Sequence, residues 1–229
     1  MTGYVEIGSV GWDHEQWLGN YYPDDLPSDW LFSYFSKQFQ TVWLEPDKLV
    51  SQSNTEIESW LDDCDTGFDF LLELPSEFAG SSFKSWLEAA TILDKQILGY
   101  VLPVSVPVAN SQESLSALIS EVFDVLIKDS DKALFLLPEN DCTLTLEGLP
   151  QADKLEIVAT FETIADCENT QTALLNFDSK KDLRDLGQFL NAFVNQNTQH
   201  ACLYCYFKGT PPSYSLMQSA QSIVSILDT

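Results

Sequence analysis

A chain of 229 residues with 45% hydrophobic and 12% aromatic content can bury about three quarters of the surface its unfolded form exposes, which excludes intrinsic disorder. Thirty-five acidic residues against eleven basic ones, with Arg184 the single arginine, give a formal charge of -24. That field repels phosphates, so nucleic acids and anionic membrane surfaces are excluded as partners.

The acids are scattered, with no run of five like charges, and read as a solvated surface. The sharper alternatives are a basic partner or a saline cytoplasm. Self-repulsion on this scale predicts that moderate salt raises the melting temperature by screening. A thermal melt at low and moderate salt checks this, and an unchanged midpoint contradicts it. The longest apolar stretches, 98–108 and 133–138, fall short of the roughly 18–20 residues a membrane helix needs. The opening Met1-Thr2-Gly3-Tyr4-Val5-Glu6 lacks the basic and apolar parts of an export signal. The five cysteines (Cys64, Cys142, Cys167, Cys202, Cys205) are odd in number and widely spread. A cytoplasmic location with reduced thiols is therefore expected.

Along the chain, residues 4–7 read as a first strand, followed by an aromatic-rich loop over 11–27. Ser28 is the expected N-cap of a helix carrying Trp30, Leu31, Tyr34 and Phe35. A second strand spans 41–44, and Ser53 with Glu56 forms a capping box for a helix with Ile57, Trp60 and Leu61 on its apolar stripe. Strands follow at 68–74 and 100–104, with a helix marked by Phe83, Trp86, Leu87 and Ala90 between them. Leu115, Leu118, Ile119, Val122 and Leu126 repeat at helical spacing, and 133–137 is apolar on both faces, as a buried parallel strand is. Strands at 154–160 and 173–177 have little helical pattern between them. A helix at 183–194, a strand at 201–207 and a last helix from Ser215 complete the chain.

About eight strands alternating with six or seven helices imply parallel pairing with right-handed crossovers. The expected fold is α/β, a TIM-like (β/α)8 barrel forming one domain over 1–229, shortened or irregular between 138 and 173. An open doubly wound sheet is the alternative. Against it, Gly8-Ser9-Val10-Gly11 lacks the third glycine of a phosphate-binding turn and does not run directly into a helix.

Ile7-Gly8-Ser9-Val10-Gly11-Trp12 and Trp17-Leu18-Gly19-Asn20-Tyr21-Tyr22-Pro23 resemble the opening motifs of the YecE-like family, a bacterial domain of unknown function with a TIM-like barrel. The likeness continues through Leu26-Pro27, Phe39-Gln40-Thr41-Val42, Gly67-Phe68-Asp69-Phe70, Leu98-Gly99 and Tyr204-Cys205-Tyr206-Phe207. It is sharpest over the first 75 residues or so. The resemblance also implies polar residues at several strand ends that this chain lacks. Where the family shows Glu-x-Asn-Ser-Thr-Phe-Tyr after the second strand, this chain has Glu45-Pro46-Asp47-Lys48-Leu49. Glu73 stands at a family lysine, Phe135-Leu136-Leu137-Pro138 replaces a Glu-x-Arg-His ending, and Lys208-Gly209 replaces an Asn-Asp pair. A diverged member that kept the scaffold and lost the charged pocket is expected.

Glu45, Glu73 and Asp178 follow or end separate strands and are the candidates for an acidic barrel mouth, able to hold a divalent cation or act as acid and base. His14, between Asp13 and Glu15, is a candidate base or ligand, and otherwise a solvent-facing loop residue. Trp12, Trp17, Tyr21, Tyr22 and Lys208 are candidate binding residues, the aromatics being equally able to pack as a lid. Cys202 and Cys205, three apart on a strand, point to opposite faces and cannot share a metal. No cofactor is expected, a divalent cation being the exception. The partner is a small molecule or protein of unspecified kind, bound by a scaffold without the family's activity. The alternative is a metal-assisted hydrolase or isomerase.

Overall fold

The computed structural model describes residues 4–78, 80–109, 111–128, 130–139, 144–161, 163–164, 170–177 and 181–227, with the backbone alone at 106 and 107. Among the described residues eight strands run β1 (Tyr4–Val10), β2 (Thr41–Leu44), β3 (Asp69–Glu73), β4 (Ile97–Val104), β5 (Ala133–Pro138), β6 (Leu155–Ile157), β7 (Thr172–Asn176) and β8 (Cys202–Lys208). Every pairing is parallel, in the order β6-β5-β4-β3-β2-β1-β8-β7. The two ends of that order meet. Ala159 bridges Ala173, its N–H donating to Thr172 O at 3.0 Å and its carbonyl accepting from Leu174 N at 2.9 Å. The sheet thus closes on itself, and the TIM-like barrel expected from the alternation is the fold.

The helices are α1 (Leu31–Ser36), α2 (Pro46–Val50), α3 (Asn54–Asp63), α4 (Gly80–Leu93), α5 (Val106–Ala109), α6 (Gln112–Val122), α7 (Leu183–Gln196) and α8 (Tyr214–Leu227). Ser53 and Glu56 form the capping box at the start of α3, satisfying two backbone donors reciprocally. Asp182 and Asp185 do the same for α7. The helix expected from Ser28 begins instead as a 3-10 turn over Ser28–Trp30, with α-helix only from Leu31. Pro27 occupies the cap position there and has no side-chain acceptor to offer, so Ser28 is not the N-cap. Among the described residues no α-helix lies between β5 and β7. A 3-10 turn at Ala152–Lys154 leads into the three-residue β6, which is the expected shortening.

Alternation along the strands divides the core in two. Val42, Leu44, Phe70, Leu72, Leu102, Leu134 and Leu136 face the helices, while Val10, Trp43, Leu71, Val101, Phe135, Val158, Leu174 and Tyr206 fill the barrel interior. Gly8 lets β1 approach β2: a β-carbon there would sit 2.5 Å from Thr41 O. Gly99 likewise makes room for the Phe135 ring, 2.7 Å from where its β-carbon would stand. Cys202 belongs to the inner cluster and Cys205 to the outer one, on opposite faces as their spacing requires. Among the described residues no helix is long and apolar enough to cross a membrane.

Candidate functional site

Enzymes of this architecture work at the carboxyl ends of the strands. At that end β2 directs Trp43 into the barrel, where it is 1% exposed and meets the Tyr206 ring edge-on, centroids 5.7 Å apart. An indole N–H so enclosed needs an acceptor. Trp43 Nε1 finds one in Glu73 Oε2 at 2.8 Å, on the neighbouring strand. Burial raises the Glu73 carboxyl above the usual range, partly offset by the Trp43 hydrogen bond and by Lys208, while Glu45 and Glu139 push it further up. Lys208, closing β8, reaches Glu45 across the rim, Nζ to Oε1 3.3 Å, with both side chains roughly half exposed. Glu45 and Glu73 therefore share one field at the mouth, but each already has a partner within the protein. Asp178 lies outside the described residues.

His14 is not the solvent-facing residue its loop position suggests. Gly11, at φ +69°, turns the chain after β1, and His14 folds back so that Nε2 lies 3.0 Å from Val10 O. The ring sits edge-on to Trp17, centroids 4.6 Å apart. Burial lowers its pKa against the pull of Val10 O and Asp13, which favours the neutral ring. Asp13 pairs with Lys48, Oδ2 to Nζ 2.6 Å, and Glu15 is exposed, so the three neighbours do not converge.

The first-loop aromatics face the protein. Trp17 Nε1 donates to Pro212 O at 2.9 Å, Tyr22 Oη donates to Trp12 O at 2.6 Å, and Tyr21 stacks on Tyr214 at 4.3 Å. Trp12, Trp17, Tyr21 and Tyr22 are all at most 5% exposed. Burial raises the Tyr21 and Tyr22 hydroxyls above the ordinary phenol value. Trp12 also lines a groove of about 550 Å³ between this loop and α1 to α3, where Lys48 Nζ stands 4.9 Å from its ring centroid.

A second cavity, about 480 Å³, opens where β3 and β4 end. Glu73, Leu74, Phe78, Leu102, Pro103, Ser105, Leu118 and Glu139 line it. Sequence reasoning missed Glu139, although it follows β5 directly, just as Glu45 follows β2. Lys48, the partner of Asp13, was also missed, its contact depending on a turn in the chain rather than on spacing.

At the opposite end of the barrel the strands carry Glu6, Asp69 and Glu156. Burial raises all three carboxyls, that of Glu156 to about 7. Tyr204 Oη donates to Asp69 Oδ2 at 2.7 Å, and Tyr206 Oη and Thr41 Oγ1 share a hydrogen bond of 2.6 Å. Among the described residues no three His, Cys, Asp or Glu side chains come together as a metal-ligand set.

No curated protein matches the chain. The chain superposes on a DUF72 family protein from Thermotoga maritima with a TM-score of 0.71 at 12% identity, covering 97% of this chain and 99% of that one. A DUF72 family protein from Enterococcus faecalis gives 0.66 at 10% identity, covering 96% and 95%. D-psicose 3-epimerase, solved in the presence of D-fructose, gives 0.56 at 11% identity over 96% and 97%, a likeness of fold alone. The family model "Protein of unknown function DUF72" matches residues 6–133, more than half the sequence. The chain belongs to the DUF72 family.

Proposed function

We propose that this chain is a diverged DUF72 barrel that works by binding a ligand or protein partner and not by catalysis. The observation that carries the reading is Trp43. Its indole packs inside the barrel near the end of β2, 1% exposed and hydrogen-bonded to Glu73, at the end where enzymes of this architecture keep their reacting groups. The rim supports it: Glu45 is engaged by Lys208, Asp13 by Lys48, and His14 by the Val10 carbonyl. A catalytic acid or base needs a free face toward substrate, and here the two carboxylates are turned toward lysines and the imidazole toward the backbone. A cytoplasmic setting belongs to the same reading, supported by the free thiols of Cys64, Cys202 and Cys205.

The test is a thermal-shift screen against soluble metabolites, joined to calorimetric titration with Mg²⁺ and Mn²⁺. Stabilisation by at least one organic ligand, with no heat from either metal, is the expected outcome. Saturable heat from Mg²⁺ or Mn²⁺ that Glu73→Gln abolishes would instead favour a metal-assisted hydrolase or isomerase at the acidic mouth.

A further inference from the structure

We propose that the cleft at the ends of β3 and β4 takes a small organic cation, an alkylammonium whose charged head meets Glu73 and Glu139 and whose chain lies along the apolar wall. The proposal deepens the ligand-binding reading above and rests on it. A volume of about 480 Å³ suits a small molecule. Its walls come largely from apolar side chains, Leu74, Phe78, Leu102 and Leu118 among them. Among the described residues its only ionisable lining groups are the carboxylates of Glu73 and Glu139.

That combination selects by charge. An anion entering the cleft would meet two carboxylates, and among the described residues no Lys, Arg or His lines it. A neutral apolar ligand would strip water from Glu73 without replacing it, at a cost that its burial elsewhere cannot offset cheaply. An ammonium head supplies donors and charge together, while an alkyl chain covers the wall. Trp43 occupies Oε2 of Glu73, and among the described residues no hydrogen bond engages Oε1, the oxygen offered to the incoming N–H. Lys208, whose charge acts on Glu73, is held by Glu45 on the rim. Burial already raises the Glu73 carboxyl, so a cation that restores its charged form is favoured in turn.

The probes are pentylammonium, n-pentanol and pentanoate, titrated calorimetrically into the full chain at neutral pH. Pentylammonium is expected to bind at least about tenfold more tightly than pentanol, the size of one charge-assisted hydrogen bond, with pentanoate giving no heat. Glu73→Gln, whose amide oxygen still accepts from Trp43, and Glu139→Gln, at an exposed position, should each weaken pentylammonium by a similar factor and leave pentanol unchanged. Equal affinity for pentanol, no binding of pentylammonium, or indifference to both substitutions overturns the proposal. If either variant fails to fold, the ammonium-to-alcohol ratio on the unaltered chain still decides. The two readings fail separately: a metabolite hit without ammonium binding removes the cation and keeps the binding protein, whereas no hit at all removes both.

Discussion

Trp43→Ala is expected to lower the free energy of unfolding by about 3–5 kcal/mol, the range for deleting a large buried aromatic side chain. Two terms add. The indole is 1% exposed inside a closed barrel whose wall is backbone held by parallel ladders, so the space it leaves cannot collapse readily. Its removal also takes the donor from Glu73 Oε2, leaving a carboxylate that burial already disfavours. Trp43→Phe separates the terms in part, since it keeps a six-membered ring in place and loses Nε1–H with the rest of the pyrrole ring. It should cost about 1–3 kcal/mol, chiefly the lost hydrogen bond. Urea denaturation of the three proteins measures both. A loss below about 1 kcal/mol for the alanine variant would show that Trp43 does not plug the barrel, and the non-catalytic reading would lose its support.

How far the sequence carried depended on whether the signal was local. The strand at 133–137 was legible because it is apolar on both faces, which requires burial between barrel interior and helices. The α3 boundary was legible because a capping box is a four-residue pattern. Ser28 misled, since the N-cap preference says nothing about the proline immediately before it. The site was less legible for a related reason. Glu45 and Glu73 could be placed at strand ends by inspection, but Glu45 meets Lys208 across 163 residues, a pairing that only ring closure creates. The Trp43–Glu73 bond follows from the register that sets Trp43 beside Leu71, and that register is not written in either strand alone. Glu156 gave no signal, because alternation cannot be recognised in a strand of three residues.

Glu156→Gln is expected to stabilise the protein at alkaline pH and to leave it unchanged in acid. Glu156 pairs in register with Phe135, which fills the barrel interior, so its carboxyl is drawn inward with it. Burial raises its pKa to about 7, against an ordinary value of 4.5, with the Gln171 N–H that it accepts pulling the other way. The folded state therefore holds the proton more tightly than the unfolded one. Above the folded pKa the charged form opposes folding; as pH falls through about 7 toward 4.5 that cost disappears. Glutamine keeps an oxygen for Gln171 N and carries no charge at any pH. At pH 8 the variant should be more stable by about 1–3 kcal/mol, toward the lower end because the side chain is only partly sealed from water. Near pH 4, below the ordinary value, the two curves should converge within error. Glu6 and Asp69, raised by the same burial, stay in the variant, so its stability should still fall with rising pH, only less steeply. Denaturant melts of both proteins across pH 4 to 8 give the difference directly. A gap that is constant across that range would mean the carboxyl is not desolvated by the barrel and that the substitution acts through packing.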